Sequence, residues 1–380
     1  MNKHIILLLF AFIGLTSCSN NETKNQKEGE VAIQNKKVIA YVIGSQNNWG
    51  SNNEKAKQIT HINYAFANIV NGKVVEGYAS DVENLKKLNT LKQVNKDLKI
   101  LISVGGWSWS KNFSDAALTE KSREIFATSA VDFMLKHKID GVDLDWEYPG
   151  QIGDNNTFRV EDKENFTALL KLLREKLDTI SSTKNQYLLT IATGANQSYL
   201  DHTNMREAHQ YLDFVNIMAY DFFTGGSNKT GHHANLYTSE LGNGSSATKA
   251  VEEHINARIP VEKLVLGVPF YGRWWTGANS ENNGLYQAAT GKRGSYKYET
   301  IADSLSTNAF VSYWDENAKA PYIWRDKDSL FLTYENPKSL KIKIDFLKNK
   351  KMGGIMFWQF NGDNGELLGT ISDSINNLDR

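Results

Sequence analysis

The 380-residue sequence contains a single cysteine, Cys18, so no internal disulfide can form and the fold must be held by packing. It has no charge imbalance: 43 basic residues meet 43 acidic ones. That removes the basic excess typical of nucleic-acid binders, and no nucleic-acid partner is expected. There is no cysteine cluster and no His-Glu-x-x-His run. The adjacent His232 and His233 would point opposite ways on an extended chain. No metal and no other cofactor is therefore expected. The turn after the first apolar run, "VIGSQNNWG", lacks the G-x-G-x-x-G spacing of a dinucleotide-binding sheet. Internal repeats and a second independent domain are also missing, and a monomer is expected.

What the N-terminus does have is Lys3 followed by the apolar stretch Ile5 to Leu15. The stretch is too short to span a bilayer comfortably and reads as a signal peptide over residues 1–17. It ends in "LTSC" (Leu15 to Cys18), which resembles a bacterial lipoprotein box. That box implies cleavage before Cys18 and lipidation of its sulfur. The protein would then sit in the bacterial cell envelope, tied to the membrane by an N-terminal lipid anchor. A secretory signal with an incidental cysteine is the alternative. Residues 18–37 are polar and read as a flexible tether before a domain covering 38–380.

Eight short apolar runs follow: Val38–Gly44, His61–Ile69, Lys99–Gly106, Ile139–Trp146, Tyr187–Gly194, Leu212–Tyr220, Lys263–Gly272 and Gly353–Phe360. They are rich in Val, Ile, Phe and Tyr, and several are apolar on both faces, as covered parallel strands are. Amphipathic stretches alternate with them. In one, Phe166, Leu169, Leu170, Leu173 and Leu177 keep helical spacing; in another, Thr119 is placed to cap a helix running to Lys138. The pattern predicts an α/β fold, a closed (β/α)8 TIM barrel, with an open doubly wound sheet as the alternative. From about Trp274 to Pro337 the helical pattern gives way to short strand-like pieces. These predict a small α+β insertion domain between strands 7 and 8.

The fourth run carries "IDGVDLDWEYPG", with Asp140, Asp143, Asp145 and Glu147 close together. Residues two apart on a strand share a face, so Asp143, Asp145 and Glu147 form one row and Val142, Leu144 and Trp146 the other. Pointing into a barrel, the acidic row would end at its carboxyl mouth, where barrel active sites lie. A solvated edge strand, a helix and a calcium loop are the competing readings. The flanking apolar residues oppose the first and Gly141, Val142 and Pro149 the second. Tyr148, following Glu147, opposes the third.

The stretch "DGVDLDWEYP" resembles the signature of family 18 glycoside hydrolases, the chitinase family. "SVGGW" (Ser103–Trp107), "MAYDF" (Met218–Phe222), "PFYGRWW" (Pro269–Trp275) and "GGIMFW" (Gly353–Trp358) are similar to its third, sixth, seventh and eighth strand motifs. The resemblance implies a retaining hydrolase of chitin or N-acetylglucosamine oligosaccharides, with no cofactor. It makes Glu147 the general acid and the sugar's own 2-acetamido oxygen the nucleophile, through an oxazolinium ion. Asp145 would orient the acetamide, and Asp143 and Asp145 would share a proton. The Asp145 charge would keep Glu147 protonated. Tyr220 would donate to the acetamido carbonyl, Asp221 would accept from the sugar, and Trp358 would floor it. Met218, Tyr271 and Arg273 would line the cleft, and Ser103 would support Asp143. Asp140 would anchor the strand end. Trp107 and Trp275 are the favoured sugar platforms among Trp49, Trp107, Trp109, Trp274, Trp275 and Trp324. An endo-β-N-acetylglucosaminidase acting on N-glycans is one alternative; a glycan-binding protein without catalysis is another.

Overall fold

Apolar strands that must bury both faces need a layer of helices outside and a packed interior, and the chain builds both. The computed structural model describes residues 36–46, 53–183, 186–307 and 310–376; the signal and tether segments before Lys36, with Cys18, and the candidate platform Trp49 lie outside them. In chain order the strands are β1 (Lys37–Ile43), β2 (His61–Val70), β3 (Lys73–Val75), β4 (Lys99–Gly105), β5 (Gly141–Asp145), β6 (Leu188–Gly194) and β7 (Phe214–Met218). They continue with β8 (Leu264–Pro269), β9 (Tyr271–Trp275), β10 (Arg293–Lys297), β11 (Val311–Asp315), β12 (Ala320–Arg325), β13 (Leu330–Thr333) and β14 (Gly354–Trp358). Parallel pairing runs β1-β14-β8-β7-β6-β5-β4-β2, and β2 pairs back onto β1, closing an eight-stranded barrel. Short β3 folds back antiparallel on β2. The predicted (β/α)8 barrel is therefore the fold.

The helices form for the reasons their sequences give. Helix Glu120–His137 starts at Thr119, whose hydroxyl accepts from the Ser122 N–H in a capping box, and stops at Lys138 with φ 54°. Helix Asp162–Ile180 buries the expected Phe166, Leu169, Leu170, Leu173 and Leu177 against the barrel. Each such side chain contributes about 1.5–3 kcal/mol. Val142 and Leu144 of β5 join that outer layer, while Ile39, Tyr41, Ala65, Phe214, Val265 and Met356 pack together in a separate inner cluster. β1 begins at Lys37, inside the stretch assigned to the tether. Lys36 Nζ donates to the Met352 carbonyl at 2.6 Å, and the Lys37 N–H to the Gly353 carbonyl at 3.0 Å, so the ordered domain takes in both residues.

The insertion is an antiparallel five-stranded sheet, order β10-β9-β13-β12-β11, with helix Tyr298–Ser306. It starts at Tyr271 rather than near Trp274, and its last strand ends at Thr333. The apolar run "KLVLGVPFYG" reads as one strand but is two. Phe270 leaves the barrel, its N–H donating to the Trp358 carbonyl at 2.7 Å, and the chain enters the second sheet.

Candidate active site

Asp143, at the middle of β5, is completely buried. The Tyr41 hydroxyl donates to its Oδ2 at 2.8 Å and the Ser103 hydroxyl at 2.7 Å. Thr190 and, at 3.4 Å, Asn216 donate to Oδ1. Burial pushes this carboxyl above the ordinary range, and the four donors oppose the rise. Ser103 thus supports Asp143 as expected. Among the described residues no hydrogen bond joins Asp143 to Asp145, although the Asp143 charge acts on its neighbour.

Asp145, the last residue of β5, is 4% exposed, and its Oδ1 has no hydrogen-bond partner. Burial raises its pKa well above normal, and the neighbouring Glu147 and Asp143 charges add to the rise. Glu147 stands just past the strand. Its N–H donates to the Ser110 hydroxyl at 2.9 Å, and that oxygen lies 2.9 Å from the Gly106 carbonyl and 3.0 Å from the Asp145 carbonyl. Burial pushes the Glu147 carboxyl up to about 7; the Tyr148 contact opposes this and the Asp221 charge adds to it. Desolvation is the largest cause of the rise at Glu147, and the mutual repulsion of the Asp145 and Glu147 charges links the two carboxyls. Gly105 and Gly106, at φ 100° and 72°, make the turn out of β4 that brings Ser110 beneath this backbone. Asp140, at the far end, accepts from the Ile100 N–H at 2.8 Å and pairs with Lys92 at 2.6 Å, the anchoring expected of it.

These acids open into a cleft of about 1260 Å³. Trp358, at the end of β14, lies on its floor, stacked on Phe66 at 5.5 Å and tilted against Tyr41 at 5.8 Å. Trp107 stands at the rim, 52% exposed, and Trp109 packs against Tyr78 at 4.9 Å. Met218, Tyr220, Tyr271, Asp221 and Arg273 all line the cavity. Asp221 is committed within the protein. Arg273 Nε donates to its Oδ1 at 2.8 Å and Nη2 to its Oδ2 at 2.6 Å. Burial alone would raise Asp221, but the nearby His233 and the Arg273 donors outweigh it and hold the carboxyl well below its usual range. His232 lies 3.2 Å from Asp315, so the two histidines serve different carboxylates.

Trp275 is not a platform. It is 1% exposed, packs on Phe331 and donates from Nε1 to the Ser227 carbonyl at 3.2 Å, because the loop after β7 covers this end of β9. Trp324 is likewise buried, bonded to Asp326 at 2.6 Å, and Trp274 stacks on Tyr296 outside the cleft lining. Sequence reasoning missed Tyr41, Thr190, Asn216, Ser110, Phe66 and Tyr78. The first three carried a usable signal: each is a polar residue interrupting an otherwise apolar strand.

A parallel barrel whose carboxyl mouth holds two buried carboxyls without cationic partners among the described residues, beside an aromatic-lined groove, is an arrangement suited to a sugar-cleaving hydrolase. The comparisons agree. A profile of glycosyl hydrolases family 18 matches residues 37–363. The sequence is 39% identical over 353 residues to Chitinase A1 of Niallia circulans, covering 84% of this chain and 49% of that protein. It is 32% identical to Chitinase 1 of Aphanocladium album, covering 80% and 75%. The solved family 18 N-acetylglucosaminidase from Paenibacillus barengoltzii is 40% identical, with a TM-score of 0.83 over 90% of this chain and 100% of that one. The chain belongs to glycosyl hydrolase family 18. It spans about half the length of Chitinase A1.

Proposed function

We propose that the protein hydrolyses β-1,4 bonds of chitin or its oligosaccharides with retention, using the substrate's acetamide as nucleophile. The observation that carries this reading is the Asp145–Glu147 pair: burial raises the pKa of both carboxyls, and neither is paired with a cation among the described residues. Glu147 gives its proton to the glycosidic oxygen as the bond to the anomeric carbon breaks. The acetamido carbonyl oxygen bonds to that carbon, forming the oxazolinium ion. Asp145 accepts the acetamide N–H at its unpartnered Oδ1, and Tyr220 donates to the carbonyl oxygen. Water then attacks the same carbon, losing its proton to the Glu147 carboxylate, and the oxazolinium ring opens. Two inversions give net retention. Trp358 stacks beneath the reacting sugar, Met218 packs beside its methyl group, and Trp107 carries the next sugar at the rim. The chitinase relatives at 39% and 32% identity support the substrate.

Hydrolysis of defined N-acetylglucosamine oligomers by wild type and Glu147→Gln tests this. The variant should lose at least about a hundredfold in kcat while still binding the oligomer. Plain β-1,4-glucan, which lacks the acetamide, should not be cleaved; cleavage at a comparable rate overturns the mechanism. The similarity to an N-acetylglucosaminidase favours a second reading, in which the same chemistry acts on another N-acetylglucosaminide, including the N-glycan core. Products released from oligomers and from a glycoprotein separate the two. The "LTSC" run supports a lipid-anchored envelope location for the enzyme.

A further inference from the structure

A carboxylate in an open cleft that must keep one orientation needs more than one donor, since a single partner lets it pivot. Asp221 has Arg273 on its cleft side. On its other side stands His233, fully buried, with Nδ1 3.5 Å from Asp221 Oδ1. Neither imidazole nitrogen has a hydrogen-bond partner at normal distance, although a buried polar ring of this kind costs stability unless it does something. The ring is held from every direction. Its edge meets Tyr271 at a centroid distance of 5.2 Å. Its own carbonyl accepts from the Phe222 N–H at 3.1 Å, one residue beyond Asp221, and its N–H reaches the Thr333 hydroxyl at 3.4 Å on β13. The next carbonyl, Ala234, accepts from Lys343, which is paired with Glu335, both 1% exposed. His233 is thus tied to the barrel loop, the insertion sheet and helix Pro337–Asn349 at once. Such fastening makes sense for a group whose position matters to a neighbour.

We propose that His233 is a positioning residue for Asp221. A neutral imidazole, protonated on Nδ1, is the second donor to Asp221 Oδ1 and keeps the carboxylate facing Glu147. This rests on the assignment of Glu147 as the acid. The charged and titratable groups around His233 are Asp221, Arg273, Tyr271, Glu335 and Lys343. Those around Glu147 are Asp145, Asp221, Tyr148 and Tyr220. Burial lowers the His233 pKa, and Asp221 offsets only part of that, which favours the neutral ring. Acting through Asp221, His233 helps Glu147 stay protonated.

Two measurements on the full-length protein test this. In the first, nitrogen-15 histidine NMR, assigned by loss of the signal in His233→Phe, should show the Nδ1–H tautomer, perturbed by Asp221→Asn. An Nε2–H tautomer overturns the proposal, and this readout needs no turnover. In the second, pH profiles of kcat/KM on an N-acetylglucosamine oligomer compare His233→Phe with His233→Gln. The phenylalanine variant should lose about tenfold in kcat, the scale of one hydrogen bond to a charged group, with its alkaline limb shifted about half a unit lower. Glutamine, which retains an N–H donor, should recover most of both. If the two variants lose activity equally with unshifted profiles, the role is merely structural and the proposal fails. A wild type inert on the oligomer but showing the Nδ1–H signal would reject the chitinase reading and leave the Asp221–His233 pair standing.

Discussion

Glu147 works against the fold it belongs to. Its carboxyl has a folded-state pKa of about 7, raised by burial, against about 4.3 for an exposed glutamate. A raised folded value means that the stability associated with the acid form is fully present below the unfolded pKa and is lost as pH rises through about 7. Glu147→Gln is neutral at every pH and escapes that loss. Its Tm should exceed wild type by a few degrees at about pH 8, with the gain shrinking toward zero near pH 4. Thermal unfolding across that range checks it; a pH-independent difference would show that desolvation is not what holds the proton. Asp143 illustrates the opposite treatment of a carboxyl. Four hydroxyl or amide donors from four other strands surround it, which also ties those strands to β5 beneath the acid.

At the scale of elements, the junction between the insertion and helix Pro337–Asn349 depends on one buried ion pair. Lys343 bonds Glu335 and the Ala234 carbonyl, and Ser339 also donates to Glu335. Lys343→Met alone strands a buried carboxylate and should cost roughly 3–5 kcal/mol by denaturant unfolding. Replacing Glu335 by Leu in the same chain should recover most of that, because two uncharged residues carry no desolvation penalty. Equal losses in the single and double variants would mean that shape, not charge, holds the junction. The elements themselves were largely legible. Strand runs such as "VIAYVIG" and the Leu spacing of helix Asp162–Ile180 depend on local pattern, and both fall within a few residues of their expected bounds. The split at Phe270 was not legible, because it depends on β9 pairing with β10 and β13, strands distant in sequence. The site divides in the same way. Alternation alone placed Asp143, Asp145 and Glu147 in one row. The donors to Asp143 come from Tyr41, Thr190 and Asn216, which are 102, 47 and 73 residues away in sequence. Trp275 misled because a loop from another part of the chain covers an otherwise well-placed ring.

For the whole molecule, zero net charge suits an uncharged substrate, since nothing is gained from long-range steering. No helix among the described residues is long and apolar enough to cross a membrane. The proposed attachment, the lipid on Cys18, is supported by the "LTSC" run. Cells producing wild type should incorporate labelled palmitate into the protein and retain it in the membrane fraction. Cys18→Ser should lose the label and release the protein; unlabelled wild type would refute the anchor. Ser110 has a consequence of another kind. Its one hydroxyl joins the backbone of the Trp107 loop to that of the acid. The two loops therefore cannot diversify independently. An attempt to retarget the enzyme by redesigning the rim around Trp107 will disturb the proton donor whenever it moves Ser110. New specificities should arise more readily from rim positions that leave Ser110 in place.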